Sequence, residues 1–377
     1  ASRVHESLGD IYELTGQYDT SLQYYELSQR WYERIRAGAK KRQIEELSCF
    51  LDICPDLKSP EDRRNQIAVL YQKRGIVYER MGEYVEATDL LDKGIKAAAG
   101  SGEEMARICI AKAGVLYRRS EYANALKWCQ RGLDIATDVK DNFEIAHGNY
   151  LLGTINTKLG NVSEAIKYRK TSLKIYDKIG DLPGQARVHN NLGVDYYYLG
   201  NWNKSREHYE QSLEIREKIG DVNGVATVAN NLGEIYLDQG HFDQAIESFT
   251  TCLNTWDKIG YLLGVGLSNS NLGKVYVRKQ QWEMALEHVN RGLKVLEQLQ
   301  SLSFIAEAYQ HLAEAYIGLG DNKSALYWAT KSYELAQEQN LTATEGVTCR
   351  ILGVVQHRLG DNVSAEQMLN TVSYKHL

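Results

Sequence analysis

The most regular feature of the chain is a short pattern of apolar, small and aromatic positions that returns about every 40 residues. It reads NNLGVDY at residues 190–196, NNLGEIY at 230–236 and SNLGKVY at 270–276. Within each copy the apolar positions lie three or four residues apart, a spacing that places side chains on one face of an α-helix. The small residue of the pattern, called the repeat residue below, falls at Gly9, Gly75, Gly114, Gly153, Gly193, Gly233, Gly273, Ala313 and Gly353.

Each repeat predicts two helices joined by a turn. The turn usually contains a second glycine, such as Gly200 or Gly240, and glycine just past a helix end readily adopts the left-handed conformation that closes the helix. The second helix has a small residue near its start and often a bulky one four residues later, as in Ala245 and Phe249. A glycine inside a helix costs about 1 kcal/mol relative to alanine. Its recurrence at one register therefore indicates that the two helices of a repeat pack closely there.

Composition agrees with a chain that is helical almost throughout. Only 3 of 377 residues are proline, the residue that breaks helix interiors. Pro55 and Pro60 lie in the one stretch that interrupts the period, and we expect Pro183 in a loop between repeats. No apolar run is long enough to span a membrane. The formal net charge of −5 is too balanced to favour nucleic acid as a partner, and six cysteines without paired spacing fit a cytoplasmic protein.

These repeats resemble the tetratricopeptide repeat (TPR) family. The 40-residue period is similar to that of the longer TPR subclass found in Pins/LGN-type scaffolds and in bacterial multidomain regulators, such as MalT-like and cyclase- or kinase-linked proteins. The resemblance covers nearly the whole chain. It implies an all-α, right-handed α-solenoid of about nine helix pairs, in which the first helices line the concave surface.

The repeat register also predicts how the chain is organised. We expect a truncated first repeat at residues 1–33, a helical insertion with a proline-containing turn at 34–62, repeats two to nine at 63–372 and a tail at 373–377. Repeat arrays normally end in a polar capping helix, and neither end of this sequence has one. We therefore expect the chain to be the TPR region of a larger signalling or regulatory protein.

Asparagine recurs where the first helices would face a groove, which is six, three and two residues before the repeat residue and one, four and five after it. An asparagine side chain both donates and accepts hydrogen bonds, so a ladder of Asn191, Asn231 and Asn271 could hold the backbone of an extended peptide. In related TPR proteins, asparagine two residues before the glycine often contacts bound peptide. The alternative is that these side chains only form hydrogen bonds between helices, or that they recur because the repeats duplicated recently. The candidate peptide-binding residues are Lys112, Arg118, Tyr150, Arg187, Asn190, Asn191, Tyr197, Asn230, Asn231, Asn271, Lys274 and Arg278.

Charge is distributed unevenly along the array. Residues 61–130 hold 12 Lys and Arg against 10 Asp and Glu, whereas residues 221–340 hold 8 against 14. A partner peptide with acidic residues would therefore favour the N-terminal half of the groove.

Two functions are compatible with this sequence. The first is a protein–protein interaction scaffold that binds a partner peptide or segment in its concave groove. The second is a ligand-sensing regulatory domain that binds a small molecule or signal peptide. Because the sequence contains no phosphate-binding loop and no nucleophile elbow, we do not expect an enzyme. No pattern indicates a cofactor, and the histidines and cysteines lack metal-ligand spacing.

Overall fold

The computed structural model describes residues 2–36, 60–98 and 101–375, and all regular secondary structure in these ranges is helical. The described helices, in chain order, are α1 (Ser2–Leu14), α2 (Tyr18–Arg36), α3 (Pro60–Met81), α4 (Tyr84–Ala97), α5 (Gly102–Arg118), α6 (Tyr122–Val139), α7 (Asn142–Lys158), α8 (Val162–Ile179), α9 (Leu182–Tyr198), α10 (Trp202–Ile219), α11 (Val222–Asp238), α12 (Phe242–Lys258), α13 (Leu262–Arg278), α14 (Trp282–Gln298), α15 (Leu302–Leu319), α16 (Asn322–Glu338), α17 (Thr342–Arg358) and α18 (Asn362–Lys375).

The chain forms two compact units, Ala1–Leu199 (unit 1) and Gly200–Leu377 (unit 2). In each unit the first helix of a repeat packs against its second helix, and that second helix packs against the first helix of the next repeat. First helices also touch each other across repeats, as α13 touches α15 and α15 touches α17. The predicted all-α fold of paired helices is confirmed.

The structure describes only some of the predicted segment boundaries. Most of the 34–62 insertion lies outside the described residues, but Pro60 begins α3, and proline suits a first turn because the N–H there needs no helical partner. Pro183 is not in a loop as expected, since it lies in the first turn of α9. Helix α18 continues to Lys375, which places part of the predicted 373–377 tail in the last helix.

A glycine followed by an aspartate forms the turn between repeats five and six. Gly220 has φ of 71° and ends α10, a conformation that costs glycine nothing because it lacks a Cβ. The Asp221 side chain then accepts a hydrogen bond of 2.8 Å from the backbone N–H of Gly224 and so caps the start of α11. The same pair, Gly180 and Asp181, joins α8 to α9. These dipeptides therefore turn the chain without proline.

The repeat residue is small because a bulky side chain of the second helix lies directly against it. A Cβ on Gly233 would lie 2.7 Å from the ring of Phe249, and one on Gly75 would lie 2.9 Å from Leu91. Gly114 differs from these two, since nothing lies within 4 Å of an added Cβ. The residue at the corresponding place in its second helix is Cys129, which is small and buried.

This contrast predicts opposite effects for one substitution at equivalent sites. Gly233→Ala should lower the free energy of unfolding by about 1–3 kcal/mol, because the methyl group overpacks the helix crossing. Gly114→Ala should raise it by up to about 1 kcal/mol, because it gains helix propensity without a clash. Urea unfolding followed by circular dichroism measures both. Equal effects of the two substitutions would contradict this account of the repeat residue.

Repeat four replaces the apolar contact at the crossing with a buried ion pair. Nε of Arg169 donates to Oδ2 of Asp195 at 2.5 Å, and both side chains are almost completely buried. The hydroxyl of Thr157 lies 2.7 Å from the other carboxylate oxygen and accepts a hydrogen bond from Nη2 of Arg169. Other repeats have apolar residues at both places, for example Phe249 and Val275. The ion pair therefore stands where other repeats have two apolar side chains.

Removing one partner should be far more harmful than removing both. Arg169→Leu should destabilise the chain by about 3–5 kcal/mol, because it leaves a buried carboxylate without its cation. The double variant Arg169→Leu with Asp195→Val should recover most of that loss, because well-packed apolar residues can replace a buried ion pair. Urea unfolding of the two variants and the parent checks this, and a double variant no more stable than the single one would contradict it.

The described residues contain no helix that is long and apolar enough to cross a bilayer.

Candidate functional site

Asn191 and Asn271 of the asparagine ladder hydrogen-bond the preceding repeat. Nδ2 of Asn191 donates to the hydroxyl of Tyr150 at 2.9 Å, and Nδ2 of Asn271 donates to Oδ1 of Asn230 at 3.0 Å. In both cases the donor lies two residues before its own repeat residue. The acceptor lies three residues before the repeat residue of the preceding repeat. Asn231 is half-buried on α11. These two amides therefore join neighbouring first helices, which was the alternative to peptide binding. Their role in peptide binding stays a prediction.

Tyr150 is the centre of the candidate residues in unit 1. The guanidinium carbon of Arg187, which is exposed, lies 5.7 Å from the centroid of its ring, a distance at which a cation is attracted to an aromatic face. Asn191 also accepts a hydrogen bond of 3.2 Å from Asn190. Four predicted residues from α7 and α9 thus form one cluster on the first helices of unit 1.

The other three predicted residues of unit 1 are Lys112, Arg118 and Tyr197. Lys112 is only 7% exposed, so its expected exposure is wrong. Its Nζ lies 2.5 Å from Oδ1 of Asp92 and 4.1 Å from the ring centroid of Trp128, and these contacts explain why the cation is buried. Arg118 is exposed near Glu79, and Tyr197 lies beside Tyr198 near the end of α9.

In unit 2 the first helices α11, α13, α15 and α17 enclose a cavity of about 410 Å³, called the central cavity below. Every residue that lines it belongs to a first helix, so four successive repeats contribute to one site. It includes the predicted Asn271, Lys274 and Arg278. Its lining residues are Glu234, Asn271, Lys274, Arg278, Glu307, Gln310, His311, Glu314, Ala343, Thr344, Val347 and Arg350.

Charges of both signs alternate along the central cavity. Lys274 pairs with Glu234 of the preceding first helix at 3.2 Å, and Glu314 lies 3.8 Å from Arg350 of the following one. Within the described part of the chain, Arg278 forms no ion pair within 4 Å. The cavity can therefore offer carboxylates, cations and amides to a bound group at the same time.

The two glutamates of α15 differ in their affinity for protons. Burial raises the pKa of Glu307 above its usual range, and the charge of Glu234 adds to this effect while His311 and Lys274 oppose it. Burial acts on the pKa of Glu314 in the same direction. There the contact with His311 and the charges of Arg278 and Arg350 outweigh burial and hold this pKa below its usual range.

Most of the cavity residues outside the candidate set belong to repeats eight and nine, and Glu234 belongs to repeat six. Arg350 is three residues before Gly353, and Val347 is six before it. Glu307, Gln310, His311 and Glu314 occupy the corresponding places around Ala313. The offsets already select the four residues of repeat eight as groove-facing, although they were not named as candidates for peptide binding, and in repeat nine the same offsets reach Val347 and Arg350. Ala343 and Thr344 lie outside these offsets, and only the packing of α17 against α15 brings them to the cavity.

The fold and the cavity define an all-α helical-repeat protein with a site on its first helices. The chain belongs to the tetratricopeptide repeat family. One family model, described as tetratricopeptide repeat, matches residues 144–218, 184–258, 224–298 and 264–338, which together span just over half of the chain, and a second matches residues 2–34. The resemblance seen in the sequence is thereby confirmed. No curated protein matches the chain.

Several solved structures share the fold at low sequence identity. The apo quorum sensor NprR from B. thuringiensis has a TM-score of 0.69 at 15% identity, with 97% of this chain and 100% of that chain covered. A Rap protein in complex with competence and sporulation factor has a TM-score of 0.66 at 15% identity, covering 96% and 98%.

A signal transduction ATPase with numerous domains from Pyrococcus horikoshii, which has a tetratricopeptide repeat sensor, has a TM-score of 0.63 at 18% identity. The match covers 91% of this chain but only 54% of the ATPase. At these identities the three likenesses establish the fold.

The two glutamates of α15 provide a matched test of the electrostatics. A group with a raised pKa stabilises the folded state less as the pH rises through that value, so Glu307→Gln should raise the melting temperature at pH 7. At about pH 3.5, below the ordinary glutamate pKa of about 4.3, this gain should vanish. A group with a lowered pKa stabilises the folded state at neutral pH, so Glu314→Gln should lower the melting temperature at pH 7.

The loss caused by Glu314→Gln should shrink as the pH falls below about 4.3, because the parent carboxyl is then protonated in the unfolded state and progressively in the folded state. Differential scanning calorimetry of the parent and both variants at the two pH values measures the effects. Shifts of the same sign at pH 7 would contradict the assignment.

Proposed function

We propose that the chain is a protein–protein interaction scaffold whose first helices bind a segment of a partner. The observation that carries the proposal is the central cavity, where first helices of four successive repeats place three predicted binding residues beside further charged and amide groups. A row of such groups, one repeat apart, suits an extended segment that passes from repeat to repeat.

The neighbours in fold support this proposal by analogy. One is a Rap protein solved with competence and sporulation factor, and another is described as a quorum sensor. A third joins a tetratricopeptide repeat sensor to an ATPase within a longer chain. By the same analogy, this chain acts as the binding region of a larger signalling or regulatory protein.

The asparagines and the Tyr150 cluster contribute differently to this function. Because Asn191 and Asn271 each donate to the preceding repeat, they position neighbouring side chains as well as offering their own carbonyl oxygens. Exposed Arg187, beside Tyr150, provides a cation on the first helices of unit 1. A partner segment with acidic residues would complement the charge of Arg187.

A test with displayed peptides addresses the proposal directly. Random twelve-residue peptides on phage are selected on the immobilised full chain, and enriched peptides are synthesised with a fluorescent label. Ala343 is exposed and lines the central cavity, so Ala343→Phe should fill it and weaken binding at least about tenfold, as loss of one well-formed contact does. Fluorescence anisotropy measures the dissociation constants.

The matched control is Thr250→Phe, which adds the same ring to an exposed place on the second helix α12. It should leave affinity unchanged. A selection without enriched peptides, or equal binding to the parent and Ala343→Phe, would overturn the proposed function.

A small-molecule sensor is the second candidate, and the size of the central cavity favours it, since about 410 Å³ lies within the range of small-ligand sites. In that case a metabolite should raise the melting temperature of the parent but not that of Ala343→Phe. A metabolite screen without such a compound would remove this candidate.

A further inference from the structure

Unit 2 contains a second cavity beside the central one, with a volume of about 640 Å³. It is called the Trp282 cavity here, after the aromatic residue that begins α14. It shares Arg278, Glu314 and Arg350 with the central cavity and extends toward the C-terminal ends of α13, α15 and α17. Its lining residues are Val277, Arg278, Gln280, Trp282, Glu314, Ile317, Gly318, Gly320, Arg350, Ile351, Val354 and Arg358.

The Trp282 cavity exists because one side chain of a regular series is missing. The place five residues after the repeat residue holds arginine in repeats seven and nine, at Arg278 and Arg358. In repeat eight, between them, the same place is Gly318. A Cβ there would overlap the indole ring of Trp282. The ring therefore occupies the space next to the helix backbone and forms an apolar wall between two cations.

The charged groups around this cavity are predominantly positive. Three arginines line it against one carboxylate, that of Glu314. Nη1 of Arg358 donates to the carbonyl oxygen of Ile317 at 2.9 Å, which holds the guanidinium over the gap beside Gly318. Arg350 is 3.8 Å from Glu314, longer than a hydrogen bond. Each guanidinium has five N–H donors, so most donors stay available to a bound group.

Two of the apolar side chains that line this cavity are partly exposed. Trp282 is 38% exposed and Val354 is 41% exposed, and both line the cavity together with Ile317 and Ile351. Solvated arginines alone would be ordinary surface. An aromatic wall next to cations matches the anatomy of small binding sites, in which a mostly apolar pocket has a few converging polar groups.

We infer that the Trp282 cavity holds an acidic side chain of the bound segment, with its carboxylate between Arg278 and Arg358 and an adjacent apolar side chain against Trp282 and Val354. This inference rests on the proposed function and names the residue type that the site prefers. A planar carboxylate accepts two parallel hydrogen bonds from a guanidinium. A single negative charge also suits a lining whose net charge is positive but includes Glu314.

The sequences of the peptides enriched in the phage selection test this inference. Peptides enriched on the full chain should contain Asp or Glu next to an aromatic or branched aliphatic residue. For a synthetic enriched peptide, changing that acid to its amide should weaken binding at least about tenfold. The double variant Arg278→Gln with Arg358→Gln should weaken binding of the acidic peptide by a similar factor and leave binding of the amide peptide nearly unchanged.

A matched control keeps the total charge change the same. Arg206 and Arg291 are arginines of the second helices α10 and α14, each within an i,i+4 ion pair on its own helix. Their double change to Gln should leave affinity unaltered. Circular dichroism of both double variants checks that they remain folded. The single variant Arg358→Gln, whose side chain lines only the Trp282 cavity, should show part of the loss.

The outcomes separate this inference from the proposed function. Enriched peptides that are not acidic, or acidic peptides that bind the Arg278→Gln, Arg358→Gln variant as tightly as the parent, would overturn the inference. If those peptides still lose affinity with Ala343→Phe, the proposed function stands. A phosphoserine peptide that binds more tightly than the carboxylate peptide would overturn the carboxylate assignment. A selection that enriches no peptide would overturn both the proposed function and the inference.

Discussion

The close approach of the two helices within each repeat is the contact on which the rest of this structure depends. At the crossing, a glycine or alanine of the first helix lies against a side chain of the second, such as Phe249 or Leu91. A repeat cannot bury its apolar face alone, so stability sums over neighbouring contacts. The crossing sets the separation of the helices, and that separation determines which side chains of the first helix remain free to face a groove.

The chemistry at the helix crossing varies among the repeats. Nothing lies within 4 Å of a Cβ added to Gly114, whereas a Cβ added to Gly233 would lie against the ring of Phe249. Repeats four and five have Arg169 and Asp195 in place of two apolar residues. Each member of this ion pair needs the other, because either group alone would be a buried charge without compensation. We therefore interpret it as a contact specific to these two repeats.

The candidate sites follow from small departures within this regular framework. The central cavity forms where α11, α13, α15 and α17 present polar side chains to one another. The Trp282 cavity forms where Gly318 replaces the large residue that its neighbours carry. In both cases the repeat supplies the positions and a change in one repeat supplies the space. Binding properties can therefore differ between repeats while the helix packing stays the same.

Much of the fold was predictable from the sequence, because helical spacing and the helix-crossing glycine are local patterns repeated many times. The register of the repeats, the Gly–Asp turns and membership of the TPR family all follow from it. The side-chain contacts were less predictable. The offsets that selected Asn271, Lys274 and Arg278, which line the central cavity, also selected Lys112, which the structure buries against Asp92 and Trp128. They also reach Val347 and Arg350 but not Ala343.

The sequence by itself thus determined the helices, their order and the face each one turns inward, because these depend on residues three or four apart. Only the tertiary structure decided which polar residues join neighbouring helices, which remain available in a cavity, and where a missing side chain opens space. Those outcomes depend on residues about 40 positions apart, whose distance is set by helix packing.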